Sequence, residues 1–221
     1  VNLHHRGAAG ADETTGDGAG ILIQLPHEFF AEEMGSAGTT LPQVGRYGVA
    51  QLFGPLHDAA LFARCLERFE SAVAHYGMTV VGYRDVPHDN SSLGDLAREA
   101  EPAVRQAFID GGDLDSEPLE RALYLARKRA ERLVRDEFGE AAGDFYICSM
   151  SARTIVYKGM FFSHQLFRYY PDLGDERVVS SLALVHQRYS TNTFPNWRLA
   201  QLFFNDTATT EIYTLSGNRN R

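Results

Sequence analysis

The sequence predicts an α+β protein whose strands pair in antiparallel sheets. Strand-like runs of apolar and β-branched residues lie toward both ends of the chain, and two long amphipathic helices occupy its middle. Two of the strand-like runs are separated by only three residues, a spacing typical of an antiparallel hairpin. This order favours α+β over a doubly wound parallel sheet, in which strands and helices would alternate regularly.

A glycine-rich loop over residues 14–20 leads directly into a predicted buried strand over residues 21–25. The glycines at 16, 18 and 20 fail the dinucleotide-binding pattern G-x-G-x-x-G, because Ile21 occupies the sixth place and the loop precedes a strand. We therefore interpret the glycines as residues of tight turns with positive φ, with a phosphate-binding loop as the weaker alternative.

Two helices are predicted from apolar periodicity and from their end signals. The first covers residues 58–76, with Asp58 as its N-cap, Cys65 on its buried stripe and Gly77 at its end. A strand from Met78 to Val86 follows. The second helix covers about residues 117–138 and ends before Gly139.

The second helix carries a basic stripe on its polar side. Acidic residues are interspersed with the basic ones, so we expect a solvated face of ion pairs and assign it no binding function. The stripe consists of Arg121, Lys128, Arg129, Arg132 and Arg135, and the acids are Glu120, Glu131, Asp136 and Glu137.

Three further strands are predicted in the C-terminal half. Residues 145–150 and 154–158 form the hairpin, and residues 180–190 form a strand with a fully apolar middle. Arg188 lies where this strand would emerge from the core, and its planar guanidinium matches a carboxylate in a bidentate fork. The two interpretations are a clamp for a substrate carboxylate and a structural ion pair across the sheet edge.

Composition excludes several classes of function. The 221 residues contain 21 Lys plus Arg against 29 Asp plus Glu, and a net charge of −8 argues against a nucleic-acid partner. No apolar run approaches the roughly 18 residues of a membrane span. The two cysteines, Cys65 and Cys148, form no metal motif, and the adjacent His4 and His5 would point to different sides. We expect a reducing, cytoplasmic location and no metal.

Five ordered motifs resemble the amidotransferase domain of the glutamate synthase large-subunit family. The resemblance covers most of the chain, to about Leu199, and identifies residues 1–221 as a partial class II glutamine amidotransferase domain. The motifs are His5 to Ala8, Thr15 to Leu22, Tyr146 to Ser149, Thr154 to Met160, and His186 to Pro195.

This resemblance implies a four-layer αββα sandwich of the N-terminal-nucleophile hydrolase type. It also implies a mature N-terminal cysteine that attacks the side-chain amide of glutamine, with its own α-amino group as the base. Arg188 would bind the α-carboxylate of glutamine, and Arg6 would lie in the same pocket. A member of this family acts in glutamate biosynthesis and nitrogen assimilation.

The resemblance implies further that ammonia passes to a synthase domain of the same polypeptide, which transfers it to 2-oxoglutarate. That domain would hold FMN and an iron–sulfur cluster, and a small electron-donating subunit would serve it. No cofactor is expected in the 221 residues themselves.

The sequence departs from the family pattern in two places. The chain starts at Val1 with neither Met nor signal peptide, and Gly217 to Arg221 supply no closing element, so we expect a fragment open at both ends that lacks the nucleophile. Thr209 and Thr210 occupy the places of the Asn and Gly that donate to the oxyanion. The 221 residues alone are therefore expected to have no glutaminase activity.

Residues 205–216 resemble the in-frame translation of a sequencing-library adapter, the alternative being a genuine threonine-rich loop. Resequencing codons 200–217 separates the two.

Two other functions stay open at this point. A non-catalytic amino-acid-binding relic would have no cysteine encoded after a processing site or initiator Met upstream. A nucleotide-binding module would gain thermal stability from ATP or NAD, whereas an amidotransferase domain would gain it from glutamine.

Overall fold

The computed structural model describes residues 14–187 and 196–200, which form seven strands and five α-helices. The strands are β1 (Ala19–Gln24), β2 (Tyr47–Gly54), β3 (Thr79–Asp85), β4 (Ala103–Asp110), β5 (Tyr146–Ser151), β6 (Thr154–Gly159) and β7 (Ala183–Gln187). The α-helices are α1 (His27–Ser36), α2 (Ala59–Ala74), α3 (Asp95–Glu99), α4 (Ser116–Phe138) and α5 (Leu166–Tyr169).

The strands form two antiparallel sheets, one in the order β6-β1-β7 and the other in the order β3-β4-β2-β5. Apolar residues of both sheets share one core cluster, so the sheets pack face to face. A second core lies between the four-stranded sheet and the pair α2 and α4. The α+β class and the sandwich of two antiparallel sheets are thereby confirmed.

The two long helices begin and end where their sequence signals predict. The Asp58 carboxylate accepts a hydrogen bond from the Leu61 N–H at 2.8 Å and caps α2, and Gly77 follows that helix at φ +75°. Gly139 has φ +56° and ends α4 in the same way. Cys65 is fully buried, as its place on the apolar stripe predicts. No described helix is long and apolar enough to cross a membrane.

The predicted hairpin of β5 and β6 is wrong, although both strands exist. β5 pairs with β2 in one sheet and β6 pairs with β1 in the other. The Ser151 hydroxyl accepts hydrogen bonds from the N–H groups of Arg153 and Thr154, which turns the chain between the layers. The Ser149 hydroxyl then accepts from the Val156 N–H at 3.1 Å, so a side chain replaces the expected ladder bond.

The predicted C-terminal strand exists over Ala183–Gln187, but it is not buried. In the part of the chain that the structure describes, β7 lies at the edge of the three-stranded sheet. Leu184 and Val185 are 49% and 46% exposed. An apolar run alone does not distinguish a central strand from an edge strand, so the prediction that this strand emerges from the core was wrong.

A polar network crosses the core between the sheets. Arg84 of β3 forms a bidentate ion pair with Asp172, at 2.7 and 2.8 Å. Asp172 also accepts from the Tyr157 hydroxyl of β6, and Gln106 of β4 donates to that hydroxyl at 3.0 Å. Burial and then the charge of Asp172 raise the pKa of Tyr157, which therefore stays a neutral donor. The network satisfies buried polar groups from both sheets.

Gln51 lies beside this network without joining it. It pairs in register with Gln106 on the neighbouring strand and is fully buried. Among the described residues, neither its amide nitrogen nor its amide oxygen has a hydrogen-bond partner. A buried amide without partners is destabilising relative to an apolar side chain of similar size.

We therefore expect opposite results from two similar substitutions. Gln106→Met removes hydrogen bonds of Arg84 and Tyr157 and should lower the free energy of unfolding by about 1–3 kcal/mol. Gln51→Met removes an amide that has no partner and should leave the free energy of unfolding unchanged or raise it. Urea denaturation of the two variants makes the comparison, and a Gln51→Met variant as destabilised as Gln106→Met would contradict it.

Candidate functional site

The glycine-rich loop packs tightly against its neighbours instead of forming an open cradle. Gly18 has φ +139°, so the expectation of positive φ is confirmed there. Gly16 and Gly20 have no positive φ, and for them the expectation is wrong. A Cβ on Gly16 would lie 2.6 Å from the Phe162 backbone nitrogen, and one on Gly20 would lie 2.8 Å from Cβ of Lys158. These two glycines are required by close packing.

Gly20 belongs to β1, where its two partners across the sheet are Lys158 of β6 and His186 of β7. Both side chains press on the face where a larger residue would carry its Cβ. The His186 Nε2 lies 3.2 Å from the Ala200 carbonyl oxygen. Burial lowers the pKa of His186, with the hydrogen bond to Ala200 opposing the shift and the charge of Lys158 adding to it.

Lys158 is a lysine with no solvent exposure. Its ammonium donates to the carbonyl oxygens of Trp197 and Arg198, at 2.9 and 2.8 Å. It also lies 4.7 Å from the centroid of the Tyr146 ring. A buried charge requires such compensation, and the carbonyl dipoles and the ring face supply it.

The turn over residues 196–200 is fixed from several directions. The Tyr146 hydroxyl donates to the Trp197 carbonyl at 2.9 Å, and the Trp197 indole N–H donates to the Ala97 carbonyl at 2.9 Å. Within the turn, the Asn196 side chain accepts from the Leu199 N–H. Trp197 itself is buried in the core between the sheets.

These contacts hold the two ends of one chain segment together. β7 ends at Gln187, directly before Arg188, and the described chain resumes at Asn196. The bond between His186 and Ala200 connects the strand to the turn. The site residues predicted from sequence, Arg6, Arg188, Thr209 and Thr210, lie outside the described residues. We call the contacts among Gly20, Lys158, His186 and residues 196–200 the base of the candidate site.

Tyr146 and Lys158 lie within the sequence motifs, but no role in the site was predicted for either of them. The sequence of β6 contained one indication of this role of Lys158, because Lys158 directly follows Tyr157 and both residues are buried. A lysine that interrupts the alternation of a strand in this way calls for buried acceptors. His186 also lies within a motif, and no role in the site was predicted for it.

Both cysteines are buried. Burial raises the pKa of Cys148, and it raises the pKa of Cys65 to about 11. A thiol with a raised pKa is a poor nucleophile at neutral pH. Among the described residues, no group of three or more His, Cys, Asp or Glu side chains could hold a metal ion.

The sequence matches the family model of class-II glutamine amidotransferases over residues 1–221. The chain belongs to this family. His186 of the last motif and Gly20, the last glycine of the glycine-rich loop, are paired across β7 and β1 at the base.

Similar proteins point to one branch of the family. The chain is 42% identical to the glutamate synthase [NADPH] large chain of Azospirillum brasilense, covering 98% of this chain and 14% of that protein. It is 40% identical to the glutamate synthase [NADH] of Schizosaccharomyces pombe, covering 99% of this chain and 10% of that protein. It is 38% identical to the ferredoxin-dependent glutamate synthase of Antithamnion sp., covering 99% of this chain and 14% of that protein. The chain thus spans a small part of the length of these relatives.

The packing around Gly20 predicts a large difference between two glycine substitutions. Gly20→Ala forces apart His186, Lys158 and the Tyr157 carbonyl, and should lower the free energy of unfolding by about 1–3 kcal/mol. Gly35→Ala lies in α1 with no neighbour within 4 Å, and should be neutral or stabilising by up to about 1 kcal/mol. Thermal or urea unfolding measures both, and equal effects would contradict the role given to Gly20.

The lowered pKa of His186 predicts a specific pH dependence of stability. The unfolded chain binds a proton near the ordinary value of 6.5, whereas the folded chain keeps His186 neutral to lower pH. The free energy of unfolding should therefore fall as the pH drops from about 6.5 through the lowered pKa. His186→Gln should flatten this part of the profile, and His75→Gln, which alters an exposed histidine, should not. An unchanged slope in His186→Gln would contradict the prediction.

Proposed function

We propose that this chain binds glutamine and is the glutaminase portion of a glutamate synthase. In the reaction, glutamine and water give glutamate and ammonia. Membership of the class-II family and the names of the relatives support this proposal. The single observation that carries it from the structure is the shared base, where His186 of the motif packs on Gly20 and bonds to the turn at Ala200.

Arg188 has the central role in substrate binding under this proposal. It follows directly on β7, whose last residues are held by the contacts of His186. A guanidinium on a fixed strand end can form two parallel hydrogen bonds with the α-carboxylate of glutamine. We place Arg6 in the same pocket on the strength of its motif.

The chemical step requires a thiolate that attacks the amide carbon and donors that stabilise the resulting oxyanion. The C–N bond then breaks, ammonia leaves with a proton from the base, and water hydrolyses the thioester. Neither Cys65 nor Cys148 supplies the thiolate, because both are buried with raised pKa values. Thr209 and Thr210 stand at the places of the oxyanion donors.

The wider setting of the activity is also part of the proposal. We propose that residues 1–221 are a partial amidotransferase domain in a cytoplasmic protein, and that a synthase domain of the same polypeptide receives the ammonia. FMN, an iron–sulfur cluster and an electron-donating subunit would serve that domain. The names of the relatives, which specify NADPH, NADH or ferredoxin, support electron transfer in such proteins.

The structure disfavours the nucleotide-binding alternative. Protein atoms fill the space beside Gly16 and Gly20, where a phosphate-binding loop would need room for its ligand. A non-catalytic amino-acid-binding relic would use the same pocket as the enzyme and would differ from it only in not hydrolysing glutamine.

Arg188→Lys tests the proposal in the complete gene product with Asn and Gly restored at positions 209 and 210. The ammonium of lysine cannot form the two parallel hydrogen bonds of the guanidinium, so the variant should lose roughly 1.5–3 kcal/mol of glutamine binding free energy. This loss should raise the KM for glutamine about tenfold or more. Glutamate formation from added ammonia should stay near normal, because ammonia bypasses this pocket. Steady-state kinetics with each nitrogen source gives the comparison.

Arg153→Lys is the matched control for this experiment. Arg153 forms an exposed ion pair with Glu117, and its replacement should leave both reactions unchanged. Equal impairment of both reactions by Arg188→Lys, or an unchanged KM with a lowered melting temperature, would assign Arg188 to a structural ion pair. Absence of glutamine-dependent activity in the reference protein with Asn and Gly restored at positions 209 and 210 would favour the non-catalytic relic.

A further inference from the structure

Four of the five acidic residues of α4 bind partners other than the arginines near its C-terminus. Near the start of the helix, Glu117 pairs with Arg153 at 2.6 Å, and Glu120 accepts from the Ser151 hydroxyl and the Ala152 N–H. Both acids are therefore used to hold the turn between β5 and β6.

Two further acids of the helix also form ion pairs, whereas Asp136 forms none with the described residues. Glu131 pairs with Arg127 and Lys128, at 3.1 and 3.2 Å. Glu137 pairs with Arg64 and Arg68 of the neighbouring helix α2. Among the described residues, the expected solvated face of ion pairs is confirmed for Lys128, which pairs with Glu131, and is wrong for Arg129, Arg132 and Arg135.

Three arginines in the C-terminal half of α4 have no carboxylate partner among the described residues. Within residues 14–187 and 196–200, no carboxylate oxygen lies within 4.0 Å of Arg129, Arg132 or Arg135, and Asp136 forms no ion pair with them. The Nε of Arg129 is also buried without an acceptor. The side chains concentrate positive charge in a chain whose net charge is −8.

These arginines face a single cavity together with Arg198. The cavity has a volume of about 790 Å³ and lies between the C-terminal half of α4 and the turn at residues 196–199. Glu131 is the one acidic residue among its described lining residues, and it is already paired with Arg127 and Lys128. Apolar side chains, among them Phe145, also line it. We call it the arginine cavity.

We propose that the arginine cavity binds an extended acidic segment of a partner protein. Arg129 to Arg135 span about 9 Å along the helix, which matches about three residues of extended chain. Guanidinium groups at this spacing can pair with successive carboxylates, and the apolar lining can take a hydrophobic side chain between them. A single phosphate ion would fill only a small part of the cavity. The proposal is independent of glutamine hydrolysis.

The test uses the purified full chain and a fluorescent ten-residue peptide of glutamates with two leucines. A peptide with glutamine in place of glutamate is the uncharged probe, and anisotropy is read at low and physiological salt. Arg132→Glu with Arg135→Glu should weaken binding at least tenfold. The control pair, Arg121→Glu with Arg168→Glu, makes the same change in net charge outside the cavity and should alter binding less than twofold. Circular dichroism and melting temperatures verify that all variants are folded.

Several outcomes would overturn the proposal. Equal weakening by the two pairs would show unspecific charge attraction, and equal binding of the uncharged probe would show that the carboxylates are not recognised. Displacement of the peptide by millimolar pyrophosphate would indicate a site for small phosphates. Self-association of the wild type that is lost in the cavity variant would indicate a second copy of the chain as the occupant.

Discussion

The buried ammonium of Lys158 is the interaction on which the geometry of the candidate site depends. A lysine with no solvent exposure must find acceptors within the protein, and it finds them in the carbonyls of Trp197 and Arg198. This requirement fixes a turn that is distant in sequence from β6. Ala200 at the end of the turn then fixes the ring of His186, and through it the end of β7.

The position of Lys158 also helps to explain one glycine of the glycine-rich loop. Two side chains from neighbouring strands meet over Gly20, so residue 20 has no space for a Cβ. Gly16 and Gly20 thus serve the close packing of the protein. Under the proposed function, these contacts would reduce the loss of conformational entropy when Arg188 binds the α-carboxylate of glutamine.

Local features of the fold were predictable from the sequence, whereas the pairing partners of strands and of charged side chains were not. The bounds of α2 and α4 follow from a capping aspartate, apolar periodicity and two C-terminal glycines, all of which act within one element. A three-residue connection, by contrast, serves a hairpin and a crossing between sheets equally well, so the pairing of β5 and β6 depended on tertiary contacts. The same holds for Glu137 of α4, whose partners Arg64 and Arg68 come from α2. Lys158 was missed because its acceptors come from a turn nearly 40 residues later.

The most direct test of the central claim is a crystal structure of the complete gene product with bound glutamate, the product of the proposed reaction. We expect both α-carboxylate oxygens to lie about 2.7–2.9 Å from guanidinium nitrogens of Arg188. We also expect the bond between His186 and the Ala200 carbonyl to be retained at the base of the pocket. A glutamate bound elsewhere, with Arg188 paired to a carboxylate of the protein itself, would contradict the claim.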